Sequence, residues 1–498
     1  MGRLHSLVRP YWLFLPLCFG VFIAADDQTV IVTILPEVLS DLRVGVSELD
    51  RASWAVTGYL IGYTAAMPLM GRVSDRFGFR NTYITAMFVF MLGSAAVALS
   101  PELPGWFLGR EPEFSWMVGA RVFQAIGGGA VIPVTIAAAG ELVGPRRRAV
   151  AYGLVGASAE AGGVIGPLWG GAITELASWH WAFWLNIPLA LVVTLLLVRL
   201  PAKQRHGVRI NYFNASVFAV FLSLLTFALT RIGEPDTLFV ITGLAAIAAG
   251  SIVFWHNLSS MTPLFPRVLF RLFSFNAANV AHFLVGGSLI IGMVAVPLMA
   301  GTVYEQSALE GGLRLLRMTI AVGTGALIGG IATQRVGGRL PAIAGVALGV
   351  TGFILMSTWD LETGDPWLTV HLVVTGLGIG LLVAPIADSA LRDVADDSRG
   401  AASALLTVSR MVGMTAGLAA MTAIGTVQFA ELVADVPAFS TDPETQARIE
   451  AATTGAGLQV FRDFFLYAAG FMAAALAPLL LMTRQGQAER TPAQLVGD

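Results

Sequence analysis

Long apolar runs separated by short polar segments divide the whole chain, and this pattern most constrains how it can fold. Most runs are close to the roughly 20 residues that an α-helix needs to cross the hydrocarbon core of a bilayer. In hydrocarbon an unpaired backbone N–H or C=O group costs several kcal/mol, so each run must satisfy its own hydrogen bonds as a helix. The runs are continuous rather than alternating, which excludes a membrane β-barrel. The sequence therefore predicts an all-α, polytopic membrane protein.

Composition supports a membrane protein and narrows the kinds of site to expect. Hydrophobic residues make up 56% of the 498 residues and charged residues 12%, with a mean hydropathy of +0.74, which is more apolar surface than a soluble core absorbs. The single cysteine, Cys18, excludes an intrachain disulfide and a cysteine-based metal site. The net charge is −2 and no basic run carries interleaved aromatics. We expect no nucleic-acid partner, no cofactor and no metal.

The order of the runs predicts fourteen transmembrane helices arranged as six, two and six. The N-terminal six-helix bundle spans 11–200, two linker helices span 201–272, and the C-terminal six-helix bundle spans 273–484. The first run contains Asp26 and Asp27 and is too long for a signal peptide, so we expect it to be retained as helix one. The runs lie at about 11–35, 52–70, 82–100, 115–137, 149–175, 181–199, 212–231, 237–255, 273–300, 309–333, 340–357, 367–389, 399–430 and 458–483.

The distribution of Lys and Arg predicts the orientation of these helices. With fourteen crossings, twenty basic residues fall on the side of the two termini and five on the other side. The five are Arg43, Arg51, Arg110, Arg231 and Arg448. Because cytoplasmic loops carry the excess of positive charge, both termini are predicted to be cytoplasmic, in a bacterial inner membrane.

An internal repeat indicates that the two six-helix blocks are related copies. The loop Gly71–Arg80 after helix two and the loop Gly330–Arg339 at the corresponding place in the last block share Gly, Arg, Gly and Arg in register. Further echoes are Gly128 with Pro133 against Gly380 with Pro385, and Glu160 before Gly163 against Arg410 before Gly413. Such repeats are typical of secondary transporters, which hold their substrate between the halves.

Charged residues inside the apolar runs are the candidate functional groups. A charge near the bilayer centre costs about 2.5–3.5 kcal/mol on insertion scales, so charges kept there usually face a cavity. Asp27 lies about sixteen residues into helix one, and a carboxyl group there can exchange a proton as its surroundings change. The alternative is a structural acid held by an arginine. Asp26 points about 100° away from Asp27 and is the second candidate.

Glu160 and Arg410 lie near the middle of predicted helices five and eleven. Arginine stays charged in proteins, so Arg410 could hold a carboxylate ionised in one conformation and release it in another. The alternative is a permanent ion pair that only fixes packing. Arg121 in helix four is either a proton-relay partner or a hydrogen-bonding strut.

Two motifs resemble those of the major facilitator superfamily, and the resemblance spans nearly the whole chain. The loop after helix two is similar to the family's cytoplasmic signature, in which Asp75 and Arg76 latch the two halves. Helix five is similar to the antiporter motif, whose glycines permit close packing and bending. The resemblance implies conformational gating by Gly71, Asp75, Arg76, Gly78, Arg80, Gly162, Gly166 and Pro167.

Helix one and helix four carry the resemblance to one branch of that family. Asp27, Thr29 and Pro36 resemble the motif of the fourteen-helix drug:proton antiporters, and Arg121 with Gln124 resembles the fourth-helix motif. Within the branch, the chain is similar to mycobacterial triacylglyceride and multidrug exporters that work with a periplasmic lipoprotein. This implies functional charges at Asp27, Glu160 and Arg410, a periplasmic extension at about 425–460, and a periplasmic or extracellular lipoprotein as a partner.

The resulting hypothesis is a proton-coupled exporter of triacylglyceride-like lipids or other large apolar molecules, working by alternating access as a monomer among membrane lipids. Its only lysine, Lys203, is not in a Walker loop, so a proton gradient rather than ATP is the expected energy source. A multidrug:proton antiporter and an uncoupled lipid facilitator stay open as alternatives. The sequence contains no HExxH or GxSxG motif, and we expect no enzyme activity.

Overall fold

The structure, a computed structural model, describes residues 12–42, 54–102, 112–143, 147–199, 210–232, 236–260, 263–306, 308–437 and 442–481. All regular structure in these ranges is helical. Several residues used for the orientation prediction, among them Arg43, Arg51 and Arg110, lie outside the described ranges, as do the predicted domain starts at 11 and 201. The orientation therefore stays a prediction.

The described chain has fourteen long helices, which we number α1 to α14 in chain order. The first six are α1 Leu15–Asp41, α2 Trp54–Phe77, α3 Phe79–Ala98, α4 Pro112–Leu142, α5 Arg148–Leu176 and α6 His180–Val198, the last with a break at Leu185. The next two are α7 Tyr212–Thr230 and α8 Thr237–Ser259. The last six are α9 Phe273–Thr302, α10 Ala308–Val336, α11 Arg339–Met356, α12 Asp365–Leu391, α13 Arg399–Leu432 and α14 Pro443–Ala474.

Twelve helices of the described chain, α3 to α14, are long and apolar enough to cross a membrane. Helices α1 and α2 have 27 and 24 residues but are not among these twelve. The protein is thus a multi-pass helical membrane protein with twelve candidate spans in its described residues. Fourteen spans, and their division into six, two and six, stay a prediction.

The packing of the helices repeats between the two ends of the chain. We call α1–α6 the N-terminal bundle and α9–α14 the C-terminal bundle. In the first, α1 packs along α5, and α3 along α4; in the second, α9 packs along α13, and α11 along α12. Between the bundles, α5 packs on α10 and α2 packs on α13. These matching neighbours agree with the internal sequence repeat.

The bundles approach most closely where glycines face backbone across them. A Cβ atom on Gly71 of α2 would overlap the carbonyl oxygen of Gly400 on α13, and the reverse holds for Gly400. At the second contact between the bundles, a Cβ on Gly153 of α5 would overlap the carbonyl oxygen of Ala326 on α10. Only glycine leaves room for such contacts, so these positions set how tightly the bundles can join.

Helices α7 and α8 pair with each other, and α7 lies against α2. A short helix, Arg267–Arg271, then leads into α9. Near the far end of the chain, Asp442 caps the first turn of α14, and Gln428 Nε2 of α13 donates to Asp463 Oδ2 of α14 at 2.5 Å. The predicted extension at about 425–460 therefore corresponds, in its described part, to the end of α13 and the first half of α14.

Candidate functional site

A polar network enclosed in the N-terminal bundle surrounds Asp27. Its Oδ2 accepts a hydrogen bond from Arg121 Nη1 at 2.7 Å. Its Oδ1 accepts from Gln124 Nε2 at 2.8 Å and from Asn186 Nδ2 at 2.7 Å. Gln124 Nε2 also lies 2.6 Å from Ser94 Oγ. The side chains of Asp27 and Arg121 are both 0% exposed, so the network is sealed in this conformation.

Four helices of one bundle supply this network, since Asp27 is on α1, Ser94 on α3, Arg121 and Gln124 on α4, and Asn186 on α6. The guanidinium carbon of Arg121 also lies 4.1 Å from the centre of the Tyr59 ring, a cation–π arrangement. Buried charges need such pairing, because an isolated charge in an apolar interior is very unfavourable. Sequence reasoning identified Asp27 and Arg121 but missed Asn186 and Ser94.

A second ion pair joins the two bundles. Arg410 Nη2 of α13 donates to Glu160 Oε1 of α5. Their side chains are 16% and 6% exposed, so this pair is slightly more accessible than Asp27. Arg410 also lines a small cavity of about 40 Å³ with His282, whose ring Nδ1 lies 3.0 Å from the Leu406 carbonyl oxygen. A volume of this size holds a water molecule or two beside Arg410.

Asp26 lies where α1 packs against α5, within the N-terminal bundle. None of the described hydrogen bonds of the Asp27 network includes it. Its Oδ1 is buried and accepts no hydrogen bond from any described residue. Gly162 and Gly166 of α5 face the backbone around Asp26, which lets the two helices approach closely. Pro167 follows within the same helix.

Asp75 links the bundles at the end of α2. Its Oδ1 accepts from the backbone N–H of Gly400 at 2.7 Å, and its Oδ2 accepts from that of Ala401 at 3.0 Å. These N–H groups begin α13 and have no partner within that helix, so the carboxylate satisfies them and opposes the positive end of the helix dipole. Arg72 Nη1 lies 3.6 Å from Asp75 Oδ2. We call Gly71, Asp75, Gly400 and Ala401 the latch.

Three further members of the predicted loop signature, Arg76, Gly78 and Arg80, lie within the N-terminal bundle in the described structure. Arg76 is exposed, with its guanidinium 5.1 Å from the Phe77 ring centre. Gly78 has a φ of +81°, which suits glycine in the sharp turn between α2 and α3. Arg80 Nη2 donates to the carbonyl oxygen of Val198 at 2.8 Å. Asp75 and Gly71 are therefore the members of the signature that contact the C-terminal bundle.

Another ion pair between the bundles was missed by sequence reasoning. Arg148 Nε, in the first turn of α5, donates to Asp388 Oδ1 of α12 at 2.7 Å. Arg392 Nη2 donates to the other oxygen of Asp388 at 2.9 Å. Asp388 is an acid inside an apolar run, and that signal was available in the sequence.

The latch, Arg148 and Asp388 all lie at one end of the molecule, where α2 and α12 finish and α5 and α13 begin. At the opposite end, a Cβ atom on Gly171 of α5 or Gly312 of α10 would contact nothing within 4 Å. Arg317 of α10 bonds Asp365 of its own bundle there, at 2.6 Å. The described charged contacts thus join the bundles at the latch end and around Glu160, and leave the opposite end less closed.

Two repeated helical bundles with ion pairs between them are typical of a two-bundle membrane transporter. The family model of the Major Facilitator Superfamily matches residues 17–418. The chain belongs to the Major Facilitator Superfamily, a family of transporters and not of enzymes.

Similar proteins support this assignment. The chain is 34% identical over 442 residues to the triacylglyceride transporter of Mycolicibacterium smegmatis, covering 84% of this chain and 76% of that one. It is 33% identical over 505 residues to the triacylglyceride transporter of Mycolicibacterium hassiacum, covering 95% and 92%. The human organic anion transporter MFSD10 has the same fold, with a TM-score of 0.61 at 15% identity over 93% of this chain and 99% of that one.

Proposed function

We propose that this protein is a proton-coupled exporter of triacylglyceride-like lipids or other large apolar molecules, with fourteen spans and cytoplasmic termini. The observation that carries the proposal is the Glu160–Arg410 ion pair across the seam of the bundles. A carboxylate can take up a proton whereas arginine stays charged, so this contact can be switched by one proton. A contact within a single bundle would not change the position of one bundle relative to the other.

In this mechanism, the pair and the latch together hold the bundles joined at the end of the molecule that we predict to be cytoplasmic. The protein then opens outward. A proton from outside neutralises Glu160 and weakens its bond to Arg410, which lowers the free energy of the state in which the latch end has parted. The proton leaves to the cytoplasm and substrate binds from that side. The pair then forms again, and the substrate is released outside. One proton moving inward at 100 mV supplies about 2.3 kcal/mol.

The Asp27 network has two possible roles in this scheme. As a proton site it would need water to reach a carboxylate that is 0% exposed here, and therefore a second conformation of the N-terminal bundle. As a strut it would hold α1, α4 and α6 together while the bundles rock. The complete enclosure of Asp27 and its three hydrogen-bonding side chains favour the strut, and Glu160 is then the main proton carrier.

A lipid substrate is supported by the relatives, which are named triacylglyceride transporters. It is also supported by a cavity of about 630 Å³ between α9, α13 and α14, whose lining is mainly apolar and includes Met421, Phe429, Phe461 and Phe464. Apolar lining accepts large apolar molecules without strict shape selection. The same region, near 425–460, is where a lipoprotein partner would receive the lipid.

Transport in reconstituted vesicles tests the coupling. Parent protein should move labelled triacylglyceride against its gradient when a pH gradient is imposed, and should only equilibrate it without one. Glu160→Gln should lose the response to the pH gradient. The matched control is Glu175→Gln, at an exposed position of the same helix, and it should behave like the parent. Concentrative transport by Glu160→Gln would overturn the coupling scheme.

The substrate is tested by mass spectrometry of lipids in cells that lack the protein. Accumulation of triacylglycerides, reversed by the parent gene but not by the Glu160→Gln gene, is the expected result. Unchanged lipids together with increased sensitivity to apolar drugs would favour the multidrug antiporter. Equilibration of lipid that never depends on the pH gradient, in parent and variant alike, would favour the uncoupled facilitator.

A further inference from the structure

A groove of about 530 Å³ lies between the paired helices α7 and α8 and the start of α13. We call it the linker groove. Its sides are aromatic, and Leu405 of α13 contributes to its lining. Phe254 and Leu258 of α8 are 68% and 50% exposed, so the groove opens toward the surrounding membrane. The aromatic residues that line it are Phe218, Phe221, Phe254, Phe265 and Phe270.

The groove lies near the membrane boundary at the latch end. Helix α7 begins at Tyr212, and Phe218 is six residues further on, or about 9 Å at 1.5 Å per residue. Leu258 is one residue before the end of α8. Because membrane-spanning helices end near the lipid headgroups, we expect headgroups at the rim of the groove and acyl chains inside it.

The charged residues that line the linker groove are both arginines, Arg267 and Arg271. Arg267 donates from Nη2 to the Ser260 carbonyl oxygen at 3.0 Å and from Nε to that of Asn257 at 3.4 Å. Arg271 is exposed, and among the described residues it has no hydrogen-bonding or ionic partner. The groove thus presents positive charge at its rim and apolar surface inside it, a combination that an anionic amphiphile complements.

Hydrogen bonds connect the rim of the groove to the latch. Arg72 Nη2 donates to the Pro263 carbonyl oxygen at 2.9 Å and Arg72 Nη1 lies 3.6 Å from Asp75 Oδ2. Asn257 holds the next part of the rim, since its amide exchanges two hydrogen bonds with the backbone of Phe265, at 3.0 and 3.1 Å. Leu405 follows the latch residues on α13 by about one turn. Parting of the latch would therefore move one wall of the groove.

We propose that the linker groove binds one anionic phospholipid, with its phosphate at Arg271 and Arg267 and an acyl chain between the phenylalanines. The bound lipid contacts α7, α8 and α13 together and so stabilises the joined latch. This site is separate from the seam at Glu160 and Arg410, and its occupant is a regulator rather than the transported molecule. Anionic lipids then shift the equilibrium between the two conformations without entering the transport path.

Native mass spectrometry of the purified full chain with phosphatidylglycerol or phosphatidylcholine tests the binding. Arg271→Gln should lower the preference for phosphatidylglycerol about fivefold, as expected for one arginine near a lipid phosphate. Arg271→Lys should keep the preference. Leu258→Trp should fill the groove and lower binding of phosphatidylglycerol. The protein should still fold, because Leu258 is half exposed. The matched control is Arg335→Gln, an exposed arginine at the latch end of α10, and it should bind like the parent.

Spin labels test the coupling to the latch. Phe77 and Gln334 are exposed at the latch end of the two bundles, and each is replaced by a cysteine that carries a label. Cys18→Ala first removes the only native cysteine. In nanodiscs, phosphatidylglycerol should raise the joined population relative to phosphatidylcholine in the parent and in Arg335→Gln, but not in Arg271→Gln.

Three results would overturn the proposal. Binding of phosphatidylglycerol by Arg271→Gln and Leu258→Trp at the parent level would place the lipid elsewhere. Competition by inorganic phosphate at equal concentration would show that the acyl chain contributes nothing. Equal binding of phosphatidylglycerol and phosphatidylcholine by the parent would show that the arginines recognise no anionic headgroup.

Discussion

The Asp27 network and the Glu160–Arg410 pair both bury opposite charges in the membrane, yet they differ in what they join. Asp27 contacts Arg121, Gln124 and Asn186 within the N-terminal bundle, with 0% exposure. Glu160 contacts Arg410 across two bundles, and Arg410 lines a small cavity. The first contact is preserved when the bundles move as rigid bodies, whereas the second must break. In the proposed mechanism, the charged pair between the bundles therefore drives their movement, and the enclosed pair stabilises the N-terminal bundle as it moves.

The largest expected effect follows from removing the enclosed acid. Asp27→Ala leaves the charge of Arg121 buried without a carboxylate partner and should lower the free energy of unfolding by about 3–5 kcal/mol. Denaturant unfolding in detergent micelles measures it. The control on the same helix is Glu37→Ala, at an exposed position, and it should change little.

The double variant Asp27→Leu with Arg121→Met sharpens this prediction. Replacing both charges by apolar groups of similar size removes the unpaired charge and should recover most of the lost stability. A stable Asp27→Ala protein that no longer transports would instead break the comparison, because Asp27 would then be a proton site rather than a strut.

The seam pair should affect conformation more than folding. Glu160→Gln replaces a charged acceptor with a neutral one, which weakens the hydrogen bond by about 1 kcal/mol and lowers the ratio of joined to parted latch about fivefold. Distances between spin labels at Phe77 and Gln334 report this ratio. Glu175→Gln should leave the distances unchanged, and the same distances in Glu160→Gln and the parent would contradict a role for the seam.

The latch should give a smaller shift of the same kind. Asp75→Asn keeps an acceptor oxygen for α13 but loses the charge that opposes the helix dipole, so the joined population should fall about twofold, equivalent to ~0.4 kcal/mol. The matched control at the same end is the exposed Asp393→Asn. A larger effect for Asp75→Asn than for Glu160→Gln would move the switch from the seam to the latch.

The smallest effect is expected far from both pairs, at the start of α14. Asp442 accepts from the Thr445 hydroxyl at 2.6 Å and from its backbone N–H at 2.9 Å, and the hydroxyl contact above all lowers the pKa of Asp442 from its usual value. Because that pKa is lower in the folded state, the capping stabilisation is present above the usual Asp pKa. It is lost as the pH falls through the lowered value.

Hydrogen exchange checks this cap. Asp442→Ala should speed amide exchange in the first turn of α14 at neutral pH while transport stays at the parent level. The exposed Asp435→Ala is the control and should alter neither. Slower transport by Asp442→Ala would mean that the region between α13 and α14 takes part in the transport cycle.

The positions of the helices and of the isolated charges within them could be predicted from the sequence, because the membrane constrains each apolar run separately. The run at about 82–100 corresponds to Phe79–Ala98, and the run at about 399–430 to Arg399–Leu432. The isolated charges within such runs included Asp27, Glu160 and Arg410. The free-energy cost of placing each charged residue in hydrocarbon depends on the residue itself, so it can be recognised without knowing its neighbours in the fold. Asp388 carried the same signal in its run and was overlooked.

The sequence by itself determined the class of protein and its helices, because unpaired backbone groups in lipid force each apolar run to satisfy its hydrogen bonds internally. Only the tertiary structure decided which charge meets which. Asp27 lies 94 residues from Arg121, and Glu160 lies 250 residues from Arg410. Each pairing depends on which helix faces meet, and close backbone approach at Gly71, Gly400 and Gly153 sets that packing. A repeat of isolated charges cannot reveal whether a pair lies inside one bundle or across two.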